Sequence, residues 1–304
     1  MGLGLLGLAA SRLGQLWVSF DVFSQVTLQF AVVTAAFAIG WLAPRGRHIV
    51  AFSLLVLGLV AIGLWPHLAS RAPAVLGVAD SGQRALKVAS FNTLWTNADA
   101  DAVMAEIERI DADVITLIEM NPAKRRILPA LKARYPHQAE CYNLAYCNLV
   151  VLSKLPIAES EAYGAGALGG APSFIRVRLG PEGGGLQVLG VHTIRFPHSA
   201  LQARQVKVLA GLIEKLPGPK LVMGDFNATP FSRILSSLQD GANLTRLTFL
   251  PSWPARLGLP QIAIDHIFLS PGLKPLEAAV IGEPAGSDHY PVSARIAIPL
   301  SGGP

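Results

Sequence analysis

The residues best suited to chemistry lie in the stretch Lys220–Pro230, which reads Lys-Leu-Val-Met-Gly-Asp-Phe-Asn-Ala-Thr-Pro. A short apolar run ends at Gly224, Asp225 and Asn227 follow two residues apart, and Pro230 turns the chain. An apolar run bounded by such breakers reads as a buried strand. Asp225 and Asn227 then stand where strand gives way to loop, which is where open α/β sheets bind their ligands. A carboxylate and an amide placed there can handle a proton and an oxyanion side by side. The alternative is an Asx-turn that merely caps its own backbone.

Other polar residues occupy equivalent positions. Asn92 ends the run Leu86–Phe91, Glu119 ends Asp113–Ile118, and His192 ends Leu186–Val191. Asp265 sits in the run Ile264–Leu269, and Asp288 and His289 sit in the polar turn Gly286–Pro291. Strand ends at one rim of a sheet converge. Glu119, Asp288 and the Asn92 amide are hard oxygen donors that suit Mg²⁺ or Mn²⁺ better than zinc. Asp265 is well typed to hold a histidine in one tautomer. Two histidines, a metal and a carboxylate base are the parts needed to hydrolyse a phosphate ester. The metal neutralises phosphate charge, the base activates water, and donors stabilise the crowded anion. His266, next to Asp265 on the same strand, points to the opposite face and reads as packing.

These residues need strands and helices to hold them. Asp99–Ile110 and Ser199–Leu216 have helical spacing, with Ser199 a candidate cap. Pro122–Arg134 reads as a basic amphipathic helix whose Lys124, Arg125 and Arg126 form a solvated face. Gly183–Gly185 makes a hairpin between the runs Phe174–Leu179 and Leu186–Val191. Strands outnumber helices, which implies a mixed, sheet-rich α/β domain. The loop Phe249–Pro260 precedes the Asp265 strand and should lie over the rim. Its Trp253 and Arg256, a flat π-face and a planar cation, are candidates to stack on a base or clamp a second phosphate. A structural plug or an interfacial anchor is the other reading for Trp253.

With these motifs in order, the chain resembles the endonuclease/exonuclease/phosphatase superfamily, with its deoxyribonuclease-I-like fold, from Leu86 to about Ile298. Ser-Phe-Asn92, Leu-Ile-Glu119, Gly-Val-His192, Gly-Asp225-Phe-Asn227, Ile-Asp265-His-Ile-Phe and Ser287-Asp288-His289-Tyr-Pro carry the resemblance. It implies a four-layer α/β/β/α sandwich of two packed mixed sheets. It makes Glu119 the main metal ligand, with Asn92 and Asp288 beside it. It has Asp225 orient or deprotonate the attacking water, Asn227 support the transition state, His192 and His289 contact the phosphate, and Asp265 pair with His289. Two departures affect substrate identity: Ile118 stands where relatives often carry Gln, and Cys147-Asn-Leu replaces a common Gly-Asn-Ala. The implied function is metal-assisted hydrolysis of a phosphate ester, of nuclease or phosphodiesterase type. The alternatives are a phospholipid or sphingolipid phosphodiesterase and a scaffold that kept the fold without the chemistry. Nucleic acid and lipid headgroups are both candidate substrates, and no obligate protein partner is implied.

The front of the chain is different. The 304 residues are 51% hydrophobic, with a mean hydropathy of +0.43, and the excess lies before Ser70. There the only charges are Arg12, Arg45 and Arg47 against Asp21, a net +2 of the chain's +5. Val22–Ala43 and Ile49–Leu68 are uncharged runs long enough to cross a bilayer, which takes ~20 residues. Trp41 and Trp65 lie near their ends, as interfacial aromatics do. The expected organisation is therefore a membrane segment over residues 1–70, a linker over 71–85, and a catalytic domain over 86–304. Gly2–Ala10 is too short to span and reads as an interfacial helix or the stub of a third span. Arg45 and Arg47 in the turn between the runs favour the cytoplasmic side. Two crossings then put the C-terminal bulk outside the cytoplasm, as in an inner-membrane protein facing outward. Cys141 and Cys147 fit that location if they close a small disulfide loop, although two free thiols are the other reading. The pI of 9.4 comes without a clustered basic face, so charge argues neither for nor against nucleic acid.

Overall fold

The computed structural model describes residues 2–40, 47–69, 77–247, 249–258 and 261–300, with only the backbone described at 47, 62–69 and 257. Four helices come first: α1 (Gly2–Leu13), α2 (Asp21–Ser24), α3 (Thr27–Gly40) and α4 (Arg47–Ala69). The chain then lays down β1 (Gln83–Asn92), α5 (Ala100–Ile110), β2 (Val114–Ile118), the single turns α6 (Pro122–Arg125) and α7 (Leu128–Leu131), β3 (His137–Glu140) and β4 (Val150–Ser153). A second run follows: β5 (Ile157–Tyr163), the turn α8 (Ala167–Gly170), β6 (Ser173–Leu179), β7 (Gln187–His192), α9 (Ser199–Glu214), β8 (Lys220–Asp225), α10 (Arg233–Ala242), β9 (Thr245–Arg246) and β10 (Asp265–Leu269). The last strands, β11 (Lys274–Pro275), β12 (Val280–Ile281) and β13 (Val292–Pro299), return to the first sheet.

The first sheet has the order β11-β13-β1-β2-β4-β3, with β12 also on β13; the second has the order β5-β6-β7-β8-β10-β9. Each holds one parallel pair at its centre, β1 with β2 and β7 with β8, and its other pairings are antiparallel. A parallel pair needs a long crossover, supplied here by α5 and α9. The period-2 alternation of strands sorts side chains to two faces. Leu86, Val88, Ile175, Val188, Leu221 and Met223 point inward and form the core between the sheets. Phe91, Ile115 and Leu117 face α5, while Leu189, Val222 and Phe268 face α9 and α10. The result is a helix–sheet–sheet–helix sandwich.

Several local expectations change. Pro122–Arg134 is two separate turns, because Pro129 opens α7 and has no N–H to continue a helix through Arg125. Lys124 is not on a solvated face but fully buried. β1 begins at Gln83, since Gln83–Ala85 pair with Ala297–Pro299. The expected linker is therefore shorter than 71–85, and residues 71–76 lie outside the described residues. His198, not Ser199, occupies the cap position of α9.

The expected span Val22–Ala43 is broken. The pieces Val18–Ser24 and Thr27–Gly40 meet at a 54° bend, and Trp41–Ala43 lie outside the described residues. The break falls at Gln25, whose side chain accepts the Thr229 N–H of the sandwich. Among the described residues no single helix is long and apolar enough to cross a membrane, while this bent pair passes by length and composition. The second expected span, Ile49–Leu68, lies within the 23-residue α4.

Candidate active site

The two parallel pairs end at one rim. Asn92 is level with Ile118 in the first sheet, so Glu119 lies just past that row; His192 and Asp225 are level in the second. Asp265 pairs across from Asp225 on β10. Gly224 permits this crowding, since a Cβ there would meet the Val191 carbonyl oxygen at 1.9 Å. Leu94, Glu119 and Asn227 all have positive φ, at 59°, 57° and 46°. Non-glycine residues in that region cost roughly 1–3 kcal/mol each and persist where tertiary structure holds them. Here each sits just beyond a strand and turns its chain into the rim.

The carboxylates and histidines meet there. Asn92 Nδ2 donates to Asp225 Oδ2 at 3.0 Å and approaches Glu119 Oε1 at 3.4 Å, while its Oδ1 accepts the Leu94 N–H at 3.0 Å. Glu119 Oε2 accepts the Trp95 N–H at 2.6 Å. Asp225 Oδ1 accepts the Asn227 N–H at 2.8 Å. His192 Nε2 lies 3.7 Å from Glu119 and 3.8 Å from Asp225. His289 Nδ1 donates to Asp265 Oδ2 at 2.8 Å, leaving Nε2 at 3.9 Å from both Asp225 and Asp288. Ser252 Oγ also donates to Asp265 Oδ2, at 2.7 Å.

Burial sets the charges. It pushes the Asp225 carboxyl up, Asp265 nearby adds to this, and His289 and His192 only partly offset it, giving about 6. Burial alone would lower His289, but the ion pair with Asp265, helped by Asp225 and Asp288, outweighs it and raises the imidazole to about 10. His266 behaves oppositely. It is buried beside Phe226 and Phe268, its Nε2 meets the Ala228 carbonyl at 2.8 Å, and burial and then Arg246 hold it down at about 3. It is a neutral packing residue, as its strand position implies.

Asp225, Asp265 and His289 each offer an atom within 4.8 Å of the others. His289 and Asp265 are already joined by their hydrogen bond, although Asp265 Oδ1 is buried with no donor of its own among the described residues. A second oxygen set, from Glu119 and Asp288, lines the cleft. Among the described residues Asp288 Oδ1 is buried with no hydrogen-bond donor, and Glu119 Oε1 has only the long approach from Asn92. Two under-satisfied carboxylate oxygens beside one cleft fit a hard divalent cation. Asn92 departs from the expected ligand geometry, because it turns its nitrogen rather than its oxygen toward both carboxylates.

The cleft has a volume of about 790 Å³. Glu119, His192, Asp225, Asn227, Asp288 and His289 line it, and apolar walls come from Leu94, Trp95, Ile194, Phe196 and Trp253. Trp253 contributes as expected by position, and its Nε1 donates to Asp288 Oδ2 at 3.1 Å. Arg256 does not. It is exposed in a 3₁₀ turn and absent from the cleft lining, so the expected Trp253–Arg256 clamp is not formed. The arginine in the lining is Arg195 instead, which sequence reasoning missed along with Trp95 and Ser252.

The support behind the rim also went unseen. Lys124 Nζ donates to the carbonyls of Thr93, at 2.8 Å, and Leu94, fixing the loop whose Trp95 N–H holds Glu119. Arg125 donates to Met120 O and Asn148 Oδ1, both at 2.9 Å, and lies over the Tyr142 ring. Cys141 and Cys147 are joined as a disulfide, with Cα atoms 5.6 Å apart, and the loop they close leads into Asn148. Nothing in the basic run Lys-Arg-Arg signalled that its first two residues buttress the strand end carrying Glu119.

The sequence profile of the Endonuclease/Exonuclease/phosphatase family matches residues 89–289. The chain belongs to this family. The UPF0294 protein VV2535 of Vibrio vulnificus (strain YJ016) is 29% identical over 123 residues, 39% of this chain and 42% of that protein. The match thus spans under half the length of that curated relative. Among solved structures, sphingomyelinase C from Streptomyces griseocarneus superposes with a TM-score of 0.54 at 19% identity, covering 70% of this chain and 99% of that one. D. rerio TDP2 complexed with single strand DNA product gives 0.59 at 18%, covering 70% and 98%. A double mutant of Staphylococcus aureus beta toxin with bound magnesium ions gives 0.54 at 18%, covering 69% and 99%. At these identities the likeness establishes a shared fold.

Proposed function

We propose that this family member is a membrane-anchored, divalent-metal-dependent phosphodiesterase. The observation that carries the reading is the rim cluster: a buried Asp225 between two imidazoles, next to a pair of under-satisfied carboxylates. Glu119 and Asp288 would hold Mg²⁺ or Mn²⁺, and Asn92 joins them if its amide nitrogen and oxygen exchange places. When bound, the cation supplies charge neutralisation at the phosphate. Asp225, raised to about 6, is largely ionised at neutral pH yet basic enough to take a proton from water. His289, held cationic by Asp265, presents Nε2–H to a phosphate oxygen. His192 lies on the other side of Asp225, and the Asn227 amide, tied to Thr193 O at 3.1 Å, faces the same space. An intact set of this kind speaks against a scaffold without chemistry.

Membrane anchoring rests on an inverted burial pattern. In the N-terminal segment Leu6, Trp17, Val32, Phe37, Ile39 and Leu55 are more than half exposed, whereas Ser11, Thr27, Thr34 and Ser53 are buried together with a few apolar residues such as Leu8 and Val56. Gly4 and Gly7 bring α1 close to α3, with built Cβ positions 2.0 Å from Thr34 Oγ1 and 2.6 Å from the Phe30 ring. Small and polar residues inside with large apolar ones outside is the arrangement of helices packed in lipid. The cleft adjoins this bundle: Gln29 Nε2 donates to Gln261 O at 2.9 Å, and Gln261 pairs with Trp253 in the cleft wall. An apolar cleft beside a membrane segment, with Arg195 as the arginine in its lining, favours a lipid phosphodiester over a polynucleotide. Nucleic-acid grooves depend on repeated phosphate contacts from Lys and Arg.

The full chain in detergent should hydrolyse bis(p-nitrophenyl) phosphate with Mg²⁺ and lose that activity in EDTA. It should release phosphate-bearing headgroup or diacyl product from mixed phospholipid vesicles faster than it nicks plasmid DNA. Activity indifferent to EDTA would overturn the metal reading, and plasmid as the preferred substrate would overturn the lipid one. For the outward-facing orientation, a C-terminal alkaline phosphatase fusion should be active; an inactive one beside a fluorescent cytoplasmic reporter fusion reverses it.

A further inference from the structure

The loop that follows Asp225 is held from two sides. Its first half is fastened by the sandwich itself. Gln202 Nε2 donates to Phe226 O at 2.8 Å and Asn227 O at 3.0 Å, and His266 meets Ala228 O. Its second half is fastened by the N-terminal segment. Gln25 Oε1 accepts the Thr229 N–H at 2.7 Å, and Thr229 Oγ1 donates to Ser24 O at 3.2 Å. Asp21 Oδ2 accepts from Ser232 Oγ at 2.5 Å, and Asp21 Oδ1 accepts the Arg233 N–H at 2.7 Å. Gln25 Nε2 donates to Asp21 Oδ2 at 3.2 Å, so the two side chains form one unit. Asp21, Ser24 and Gln25 are all buried, as are Thr229 and Ser232.

A carboxylate in the first turn of α10 answers the unpaired N–H groups there and the positive end of the helix. Ser232 already caps Ile234 with its own hydroxyl, at 3.1 Å. Asp21 therefore adds a second cap, brought from more than two hundred residues away in sequence. Asn227 stands two residues before Thr229, with φ of 46°. A strained residue keeps its geometry only while both flanks are fixed.

We propose that Asp21 and Gln25 are positioning residues for catalysis: the N-terminal segment completes the active site by pinning the loop that carries Asn227. The inference rests on the phosphodiesterase reading above for its kinetic consequence and on the hydrogen bonds alone for its physical one. Neither residue reaches the cleft, so substrate binding should be spared.

The test uses the full chain in detergent, with bis(p-nitrophenyl) phosphate and Mg²⁺, and residue-resolved amide exchange. Gln25→Ala and Asp21→Ala should each lower kcat by about tenfold with KM within about twofold, since small misplacements of catalytic groups are costly. Asp21→Asn, which keeps an acceptor for Arg233 and is itself a good cap, should recover most of the loss. Exchange should accelerate at Thr229 and Arg233 and stay slow in the core strands. Wild-type kcat in both alanine variants overturns the proposal, as does a loss that spreads to the core strands or that Asp21→Asn fails to relieve. If wild type hydrolyses no phosphodiester, the functional reading fails separately. The docking is then judged by exchange alone: slow Thr229 and Arg233 amides in wild type that quicken in the variants support it, and fast ones in wild type overturn it.

Discussion

The sandwich and the N-terminal bundle differ in what they expose: the sandwich keeps its large apolar residues inside, and the bundle turns many of its own outward. In the sandwich Val88, Ile115, Leu117 and Val222 are fully enclosed, and the few charged side chains buried away from the rim, such as Lys124 and Glu106, have polar partners. In the bundle Thr34 and Ser53 are enclosed, while Phe37, Ile39, Leu54 and Leu55 face outward. On the membrane-anchored reading proposed above, one chain is built for two solvents. In water, apolar area drives packing at about 25 cal/mol per Å²; in lipid that drive vanishes and close approach of small residues takes over. The contact between the two regions combines apolar packing, with Val18 against the cluster under α9 and α10, and buried polar groups, Asp21, Gln25, Thr229 and Ser232, each given a partner. Such a contact specifies one docking geometry, because unpaired buried polar groups cost about 1–3 kcal/mol each.

The sharpest test of the sandwich's half of this contrast is at the rim. Glu119→Gln should abolish Mg²⁺-dependent turnover while far-UV circular dichroism stays that of the native fold. Full activity in that variant removes Glu119 from the metal site. Asp225→Asn should lower kcat by roughly 10²–10⁴-fold, the usual contribution of a general base. Its melting temperature should hold or rise, because burial already penalises the Asp225 charge. A fall in both together would make Asp225 a structural residue.

The bundle's half is tested by charge. Val33→Lys on the outward face of α3 should cost about 2.5–3.5 kcal/mol if that face meets lipid. Carbonate washing of membranes would then release the variant more readily than wild type. An unchanged membrane fraction would mean that the face meets water.

The pH profile measures how burial differs between the two halves of the rim. Asp225 must be ionised to act as base, so kcat/KM should fall as pH drops through about 6. His289 must be protonated to donate, so activity should fall again only as pH rises through about 10. The same imidazole, raised from an unfolded value near 6.5, contributes stability that is complete below about 6.5 and lost as pH rises through about 10. A single activity limb near neutrality would show that the Asp265 pairing does not govern His289. The smallest effect is expected at the cleft's lip. Trp253→Ala, which frees Asp288 from its indole partner, should raise KM several-fold, about the loss of one hydrogen bond. Arg256→Ala should leave KM unchanged, and equal effects would restore the two as a pair.

Much of the rim was legible in the chain because it depends on local order. A strand's end is marked by where an apolar run stops, and Asn92, Glu119, His192 and Asp225 stand at or just past such stops. The period-2 alternation likewise placed His266 on the face opposite Asp265. What local order could not reveal is what lies across from a side chain. Lys124 looks like its neighbours Arg125 and Arg126 in sequence, yet the Thr93–Leu94 carbonyls lie opposite it and bury it. Trp253 and Arg256 look like a pair, yet Trp253 lines the cleft with its indole on Asp288 while Arg256 stands exposed in the 3₁₀ turn outside it. Val22–Ala43 reads as one uncharged run long enough to span, yet the helix breaks at Gln25, whose side chain accepts the Thr229 N–H. The sequence by itself determined which residues could do chemistry and which segments could meet lipid, since both follow from side-chain type and spacing. Only the tertiary structure decided which of them meet, because hydrogen-bond partners and burial are set by segments hundreds of residues apart.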